Sequence, residues 1–541
     1  MPPRKPKPKN LLILLVDVGV NITDFDKVKT CAFNIYKGKL FKEKSLDEIG
    51  LLVIGSEESE NPSNYEHICV ASAPGLAAWS ILKAIHNLEQ NKQTSGDWLQ
   101  GLAVACDLLE QYSEGQSYAK VGFILISNFE SSVDASLLPG VQKTLCQHAV
   151  DLICIGLSES NDSLVTQYPP SYQCLSQLAT MPNVELSSVN QSIEETKFTP
   201  REVKNSMPWN VDFYIGDLPV PITGYKWVGK EYGNIWSKIK QESEVKEEAS
   251  TSASVTKPQY VVASKVYTQK SDPTQPPLEE HEVVRGYYYG NTIIPMTSDE
   301  KAAMKYQSGE RGLKLICFTT KSNVPFYLLQ GDTVYIITAS TKSKDNTLLL
   351  SLIKQLHSEG LVAIVRHVYS KNSTPNIQVL YPVMEEAEES EDQDDDATKH
   401  KYYFAMADLP FAQQMTDISS ASDVANFSHY FDKTHDEGFS QETQDAMETY
   451  IERLDLVKEA QYAEDIPYLP EVSRNPSIQI QCHLQVEKCL SPHADLAKRE
   501  LPSYIRQLYE PRPIVHHVAG ELKQALGEIR STSADVKDED I

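Results

Sequence analysis

Very few residues of this chain stand at the spacings that catalysis or cofactor binding requires. No GxxxxGK(S/T) phosphate-binding loop occurs, and no GxGxxG follows a predicted strand. No serine, cysteine or lysine stands in a known nucleophile motif, and the nine cysteines include no CxxC pair. We therefore predict no catalytic residue, no metal, no cofactor and no enzymatic activity.

One short motif has a pattern related to cation binding. The residues Asp17-Val18-Gly19-Val20-Asn21 follow the first predicted strand, where carboxylates and hydroxyls could converge on a hard cation. The motif resembles the Asp-x-Ser-x-Ser site of von Willebrand A-type domains, but Gly19 and Asn21 replace the two serines. The segment SNFES (127–131) also lacks the aspartate that the resemblance implies. We predict a domain of that fold without a metal.

The remaining candidates are basic side chains in the middle of the chain. Residues 251–384 carry 14 lysines and arginines against 10 acids, whereas the whole chain has a net charge of −25. The acids are concentrated elsewhere, and nine of them lie between Glu385 and Asp396. Basic side chains suit phosphate contacts that do not depend on base sequence. Together with the family resemblance described next, this chemistry predicts as DNA-binding residues Lys265, Lys270, Arg285, Lys301, Lys305, Arg311, Lys314, Lys321, Lys342, Lys344, Arg366, Lys371, Lys399 and Lys401.

The same region carries a family resemblance. The stretch 283–338 has a strand–turn–strand pattern, and it resembles the central β-barrel of the Ku proteins. The segments YYYGNTIIP (287–295), DEKAAMKY (299–306) and AIVRHVY (363–369) are most similar to the larger subunit of the Ku heterodimer.

The first part of the chain predicts an α/β domain. Continuous apolar runs at 11–17, 51–55, 121–127 and 151–157 are typical of strands buried on both faces of a parallel sheet. Helical patterns separate them, so we predict a von Willebrand A-like, doubly wound domain over 9–240. A basic tail (1–8) precedes this domain, and a polar linker (241–256) follows it.

Short strands then predict a β-barrel over 257–440, interrupted by an acidic loop at 385–398. The candidate strands are 260–267, 313–318, 326–329, 333–338, 362–368, 377–381 and 402–406. One inserted helix has its apolar face between Leu348 and Leu356 and ends at Gly360.

The last part predicts a helical arm over 441–530 and a disordered tail over 531–541. The segment IQIQCHLQV (478–486) alternates with a period of two, which alone favours a strand; the Ku resemblance implies a helix. The arm has little core of its own, so we expect it to pack on something else. The residues predicted to contact a partner are Met447, Tyr450, Ile451, Leu454, Tyr468 and Leu469.

The resemblance implies a function as well as a fold. A Ku chain forms an obligate heterodimer with the smaller Ku subunit, and the ring so formed encircles double-stranded DNA ends in the nucleus. It implies a role in double-strand break repair by non-homologous end joining and at telomeres, with the α/β domain docking end-joining factors. Two alternatives are the smaller Ku subunit and a von Willebrand A-type scaffold that binds only proteins.

Two further expectations concern the compartment and the chain end. The odd number of cysteines indicates buried thiols in a reducing compartment, and no apolar run is long enough to cross a membrane. Larger Ku subunits commonly continue into a domain and tail that recruit a protein kinase. This sequence ends at Ile541 without them, which puts kinase recruitment by this chain in doubt.

Overall fold

A computed structural model describes residues 9–42, 46–113, 118–156, 168–200, 206–229, 266–268, 270, 276–340, 346–386, 400–416, 441–455, 473–511 and 513–526. The chain divides into two compact units. The first comprises Met1–Val203 with His435–Ile541, and the second comprises Lys204–Thr434. No described helix is both long enough and apolar enough to cross a bilayer.

The first unit contains a six-stranded sheet in the order β3-β2-β1-β4-β5-β6. Adjacent strands of this sheet are parallel to each other, except that β3 is antiparallel to β2. The four apolar runs predicted as strands all belong to this sheet. The strands are β1 (Lys9–Asp17), β2 (Glu48–Ile54), β3 (Ile68–Leu76), β4 (Tyr118–Ile126), β5 (Asp151–Ile155) and β6 (Val184–Ser187).

Helices cover both faces of this sheet, which confirms the doubly wound, von Willebrand A-like fold. Alternate residues of β1 enter different cores, since Ile13 packs on one face and Leu14 on the other, and both are fully buried. Asp97 caps the third helix by accepting a hydrogen bond from the amide of Leu99 at 2.8 Å. The helices are α1 (Phe25–Leu40), α2 (Trp79–His86), α3 (Trp98–Ser113), α4 (Leu138–Gln147), α5 (Pro169–Ala179) and α6 (Val189–Thr196).

The helical arm belongs to the same unit. Its described helices are α9 (Gln441–Leu454), α10 (Pro476–Leu490), α11 (Ser503–Arg506) and α12 (Pro513–Leu526). The segment 478–486 is therefore helical, as the resemblance implied and against its period of two. Val486 packs into the core formed by β1, α1 and α2, so α10 completes the α/β domain.

The second unit is a closed barrel in the order β11-β13-β14-β15-β12-β8-β7. Its strands are β7 (Trp209–Ile215), β8 (Leu218–Val228), β11 (Gly312–Thr320), β12 (Gln330–Ala339), β13 (Leu361–Val368), β14 (Asn376–Glu386) and β15 (His400–Asp408). Helix α8 (Thr347–Ser358) packs against it through Leu349, Ile353 and Leu356, and Gly360 follows with φ +65°.

The barrel differs from the prediction in two places. Strands β7 and β8 lie within the range assigned to the first domain, yet their apolar side chains enter the barrel core. The polar change of composition at 241–256 follows these strands, so it could not mark the domain boundary. The predicted strand 326–329 is wrong: Phe326–Leu328 form a 3-10 turn after Pro325, and Phe326 is exposed. Of the predicted strand 260–267, only 266 and 267 are described, and Tyr267 forms an isolated bridge to Leu278.

A small hairpin stands apart from the barrel strands. It comprises β9 (Arg285–Tyr289) and β10 (Thr292–Met296), and α7 (Ser298–Ala303) follows it. Thr297 and Glu300 form a capping box at the start of α7. The strand–turn–strand pattern predicted for this stretch is confirmed.

Candidate nucleic-acid interface

The hairpin exposes both of its faces. Its turn depends on Gly290, whose φ of +57° suits glycine. Tyr288 and Tyr289 are 79% and 81% exposed, although they point to opposite faces, and Ile293 is 51% exposed. An isolated two-stranded hairpin is marginally stable in water, and one with apolar side chains on both faces needs another surface to cover them. Both faces of the hairpin are therefore available for contact with another molecule.

Basic side chains accompany the hairpin. Arg285 begins β9, Lys301 lies on α7 and Lys305 follows this helix. All three are exposed, and none forms an ion pair with another described residue. Because no carboxylate of the described chain neutralises them at close range, these side chains can contact phosphates without first breaking a salt bridge.

Three of the predicted DNA-binding residues have partners within the barrel. Lys314 lies opposite Arg366 in the pairing of β11 with β13, and its ammonium is 5.8 Å from the ring centre of Tyr214. The Arg366 guanidinium is half-buried and donates a hydrogen bond to the carbonyl of Ser308 at 2.9 Å. Lys371 is exposed but forms an ion pair with Glu310, which raises the pKa of the lysine. Of these three, Arg366 has the most clearly structural contact.

The other predicted DNA-binding residues are dispersed over this unit. Lys270, Arg311, Lys321 and Lys401 are exposed. Lys401 lies opposite Glu385 on β14, so its charge has an acidic neighbour. The structure thus groups Arg285, Lys301 and Lys305 with the hairpin segment and leaves the rest on separate strands and loops. The predicted residues that lie outside the described part of the chain are Lys265, Lys342, Lys344 and Lys399.

The structure also exposes aromatic side chains near the basic residues, and none of them was among the DNA-binding residues predicted from the sequence. The structure places Tyr287, Tyr288 and Tyr289 on the hairpin and Phe326 and Tyr327 on the turn after β11, all largely exposed. The sequence contained one signal for the first group, since three consecutive tyrosines in a short strand put aromatic rings on both faces. Aromatic rings beside cations form a surface that suits nucleic acid or a protein partner.

The carboxyl group of the Asp17 motif forms hydrogen bonds with other residues of the chain. The Asp17 carboxyl is fully buried and accepts hydrogen bonds from the Ser127 hydroxyl at 2.7 Å and the Gly19 amide at 2.9 Å. Burial raises the pKa of this carboxyl, while these donors oppose the effect. A Cβ at Gly19 would meet the side-chain oxygen of Asn21 at 2.5 Å, so the Asn21 side chain would have to move if a serine stood at position 19. Among the described residues, no three His, Cys, Asp or Glu side chains are grouped as metal ligands.

Four of the six residues predicted for a partner interface lie on α9, which packs against α12. Met447 and Ile451 are 40% and 60% exposed, and Tyr450 and Leu454 are half-buried. Arg453 forms an ion pair with Glu521 across the two helices. The exposed pair leaves an apolar strip on α9, while Tyr468 and Leu469 lie outside the described residues.

An α/β domain joined to a closed seven-stranded barrel that carries an exposed hairpin defines the class of protein. Two family models match the chain: the Ku70/Ku80 N-terminal alpha/beta domain over residues 15–132, and the Ku70/Ku80 beta-barrel domain over residues 215–446. The second match begins at Ile215, the last residue of β7, and so includes β8 with the barrel, in agreement with the structure. The chain belongs to the Ku family.

The curated relatives are named for one of the two Ku subunits. The chain is 24% identical to X-ray repair cross-complementing protein 5 of Xenopus laevis over 418 residues, covering 69% of this chain and 56% of the relative. It is 24% identical to the Arabidopsis thaliana ATP-dependent DNA helicase 2 subunit KU80 over 523 residues, covering 86% and 67%. The chain is also 24% identical to X-ray repair cross-complementing protein 5 of Dictyostelium discoideum, and the match covers 69% of this chain and 52% of that relative. The chain thus spans little more than half the length of the first relatives, and the predicted resemblance to the larger Ku subunit is confirmed.

Proposed function

We propose that this chain binds the ends of double-stranded DNA as one half of a Ku ring, with the smaller Ku subunit as the other half. The observation that carries this proposal is the β9–β10 hairpin, which is exposed on both faces and followed by Lys301 and Lys305, two cations that form no ion pair with a described residue. It lies within the matched Ku barrel. A surface of this kind has one face available for a duplex and another for a partner chain.

The chemistry of the basic residues supports binding that is independent of base sequence. Lysine and arginine attract phosphate oxygens, and each such contact releases condensed counterions from the duplex. The described residues of the barrel unit offer no helix of recognition length beside these cations, because α7 has only six residues. Affinity would therefore come from the DNA backbone and its shape.

Ring closure accounts for a preference for DNA ends. A ring formed by two subunits can be entered only where the duplex stops. Phosphate contacts then hold the duplex without fixing a register, so the ring can move inward along it.

The proposed biological role rests on membership of the Ku family. We propose that the bound ring begins double-strand break repair by non-homologous end joining, acts in the nucleus and also takes part in telomere maintenance. The names of the Xenopus and Dictyostelium relatives refer to X-ray repair. In this proposal the α/β domain docks end-joining factors, and Met447 and Ile451 on α9 contact the smaller subunit.

The proposal includes no enzymatic step. Several relatives are named as subunits of an ATP-dependent DNA helicase. The sequence of this chain contains no phosphate-binding loop. We infer that it acts by binding alone.

The test is a salt series with the reconstituted heterodimer. The chain, co-expressed with the smaller Ku subunit of the same organism, is assayed for binding to blunt linear duplex by filter binding. We expect tight binding at low salt. The logarithm of the association constant should fall linearly with the logarithm of the salt concentration, with a steep slope because several phosphates are contacted. Absence of binding at low salt would reject the proposed function.

A further inference from the structure

A groove crosses the edge of the α/β sheet opposite to Asp17. It consists of two adjoining cavities of about 190 and 160 Å³, which share Lys39, Lys42, Asp47 and Ile49. Strands β1, β2, β4 and β5 all begin at this edge because they run in parallel. The groove is therefore separate from the edge where the Asp17 motif lies.

The charges in the groove are unevenly balanced. The Asp47 carboxylate is engaged, because it accepts hydrogen bonds from the Asn10 side chain at 3.0 Å and the Lys42 ammonium at 2.8 Å. Lys39 forms no salt bridge with a described residue. Burial lowers the pKa of Lys39, and the neighbouring Lys42 lowers it further, while Asp47 opposes them. A carboxylate placed beside Lys39 would relieve the repulsion between the two lysines.

A second cation stands across the groove. Lys120 near the start of β4 is exposed and lines the cavity that also contains Lys39. It forms no salt bridge within the described chain. Asp151 lines the same cavity, so among the described residues that line the groove three lysines exceed two carboxylates by one charge. The unmatched charge is positive.

The other end of the groove is apolar. The cavity of about 190 Å³ is lined by Leu40, Ile49, Leu76 and Ala77. Leu76 ends the edge strand β3 and is 60% exposed. This pocket has room for an aliphatic side chain. Such a side chain would cover the exposed apolar surface of Leu76, which favours binding.

We propose that this groove binds a short segment of a partner protein in which aliphatic side chains alternate with carboxylates. The aliphatic side chain occupies the pocket beside Leu76, and the carboxylates meet Lys39 and Lys120. The inference rests on the proposed role of the α/β domain as a docking surface and names the chemistry of one partner segment. Charge complementarity selects an acidic occupant over a basic one.

The test uses the reconstituted heterodimer and a fluorescein-labelled peptide of alternating leucine and aspartate. A matched peptide carries asparagine in place of aspartate. We expect binding of the aspartate peptide, measured by fluorescence anisotropy, to weaken about tenfold in the double variant Lys39→Gln/Lys120→Gln, because both cations that would meet its carboxylates are removed. Lys143→Gln on α4, an exposed lysine that does not line the groove, should leave binding unchanged.

The outcomes separate this inference from the proposed function. DNA-end binding by the Lys39→Gln/Lys120→Gln variant should equal that of the unaltered heterodimer, which also shows that the variant is folded. The inference is overturned if the aspartate peptide fails to bind, if it binds the variant as well as the unaltered protein, or if the asparagine peptide binds equally well.

Discussion

Individual lysines beside the hairpin provide the most direct test of phosphate contacts. We expect Lys301→Glu/Lys305→Glu to reduce affinity for linear duplex at least about tenfold, because two cations that no described carboxylate pairs with become anions near phosphates. The slope of log affinity against log salt should fall by about 0.9 for each contact removed. Lys143→Glu in the α/β domain is the matched control. An unchanged affinity and slope in the double variant would place these lysines away from DNA.

Arg366 should behave differently from these lysines. Its guanidinium holds the carbonyl of Ser308, and this hydrogen bond involves a charged donor. We expect Arg366→Met to lower the free energy of unfolding by about 1.5–3 kcal/mol, measured by chemical denaturation, and to leave the salt slope of DNA binding unchanged. Normal stability with a reduced slope would instead assign Arg366 to phosphate binding.

We expect His367 to make the stability of the barrel depend on pH. Its ring lies 4.9 Å from Trp209 and 6.4 Å from Tyr335 between ring centres, and burial lowers the pKa of His367 to about 4, opposed by Asp408. Because the unfolded chain binds this proton more readily, unfolding becomes more favourable as pH falls from about 6.5 towards 4.

The His367→Gln variant isolates this effect. The difference in Tm between pH 7 and pH 5 should be smaller in the variant than in the unaltered protein, since glutamine does not titrate. An equal pH dependence in both proteins, measured by differential scanning calorimetry, would assign the effect to other groups.

Among the elements, α10 has the most specific attachment. The Gln479 side chain accepts a hydrogen bond from the Thr199 amide at 2.9 Å and donates one to the Thr199 carbonyl at 3.3 Å. Removal of both bonds should loosen α10 from the α/β domain. We expect Gln479→Ala to accelerate hydrogen exchange across 476–490 relative to β1, and Gln355→Ala on α8 serves as a control in the other unit. Unchanged exchange would mean that Val486 and Cys482 hold the helix alone.

Sequence reasoning identified elements best where their pattern is continuous. The apolar runs of β1 and β4 are buried on both faces, so their sequence admits one interpretation. The segment 478–486 was ambiguous because its helix is half-buried and polar side chains alternate along it. The interface was harder still to predict. Arg366 is half-buried and hydrogen-bonded to Ser308, whereas Lys301 is exposed, and residue type alone does not show this difference. The attachment of α10 to the α/β domain depends on contacts between distant residues, which no local pattern encodes.

The molecule as a whole should depend on its partner. The hairpin residues Tyr288 and Ile293 and the α9 residues Met447 and Ile451 expose apolar surface. Such surface promotes association when no partner covers it. We expect the chain expressed alone to aggregate in size-exclusion chromatography and the smaller Ku subunit to restore a single heterodimer peak. A stable monomeric chain would contradict the assignment of these residues to interfaces.

Ring closure can be tested with DNA that has no ends. The reconstituted heterodimer is titrated at equal salt with a linear duplex and with a covalently closed, relaxed circle of the same sequence. The ring account predicts tight binding to the linear form and far weaker binding to the circle, and linearising the circle with a restriction enzyme should restore binding. Equal affinity for the circular and linear forms would contradict the account.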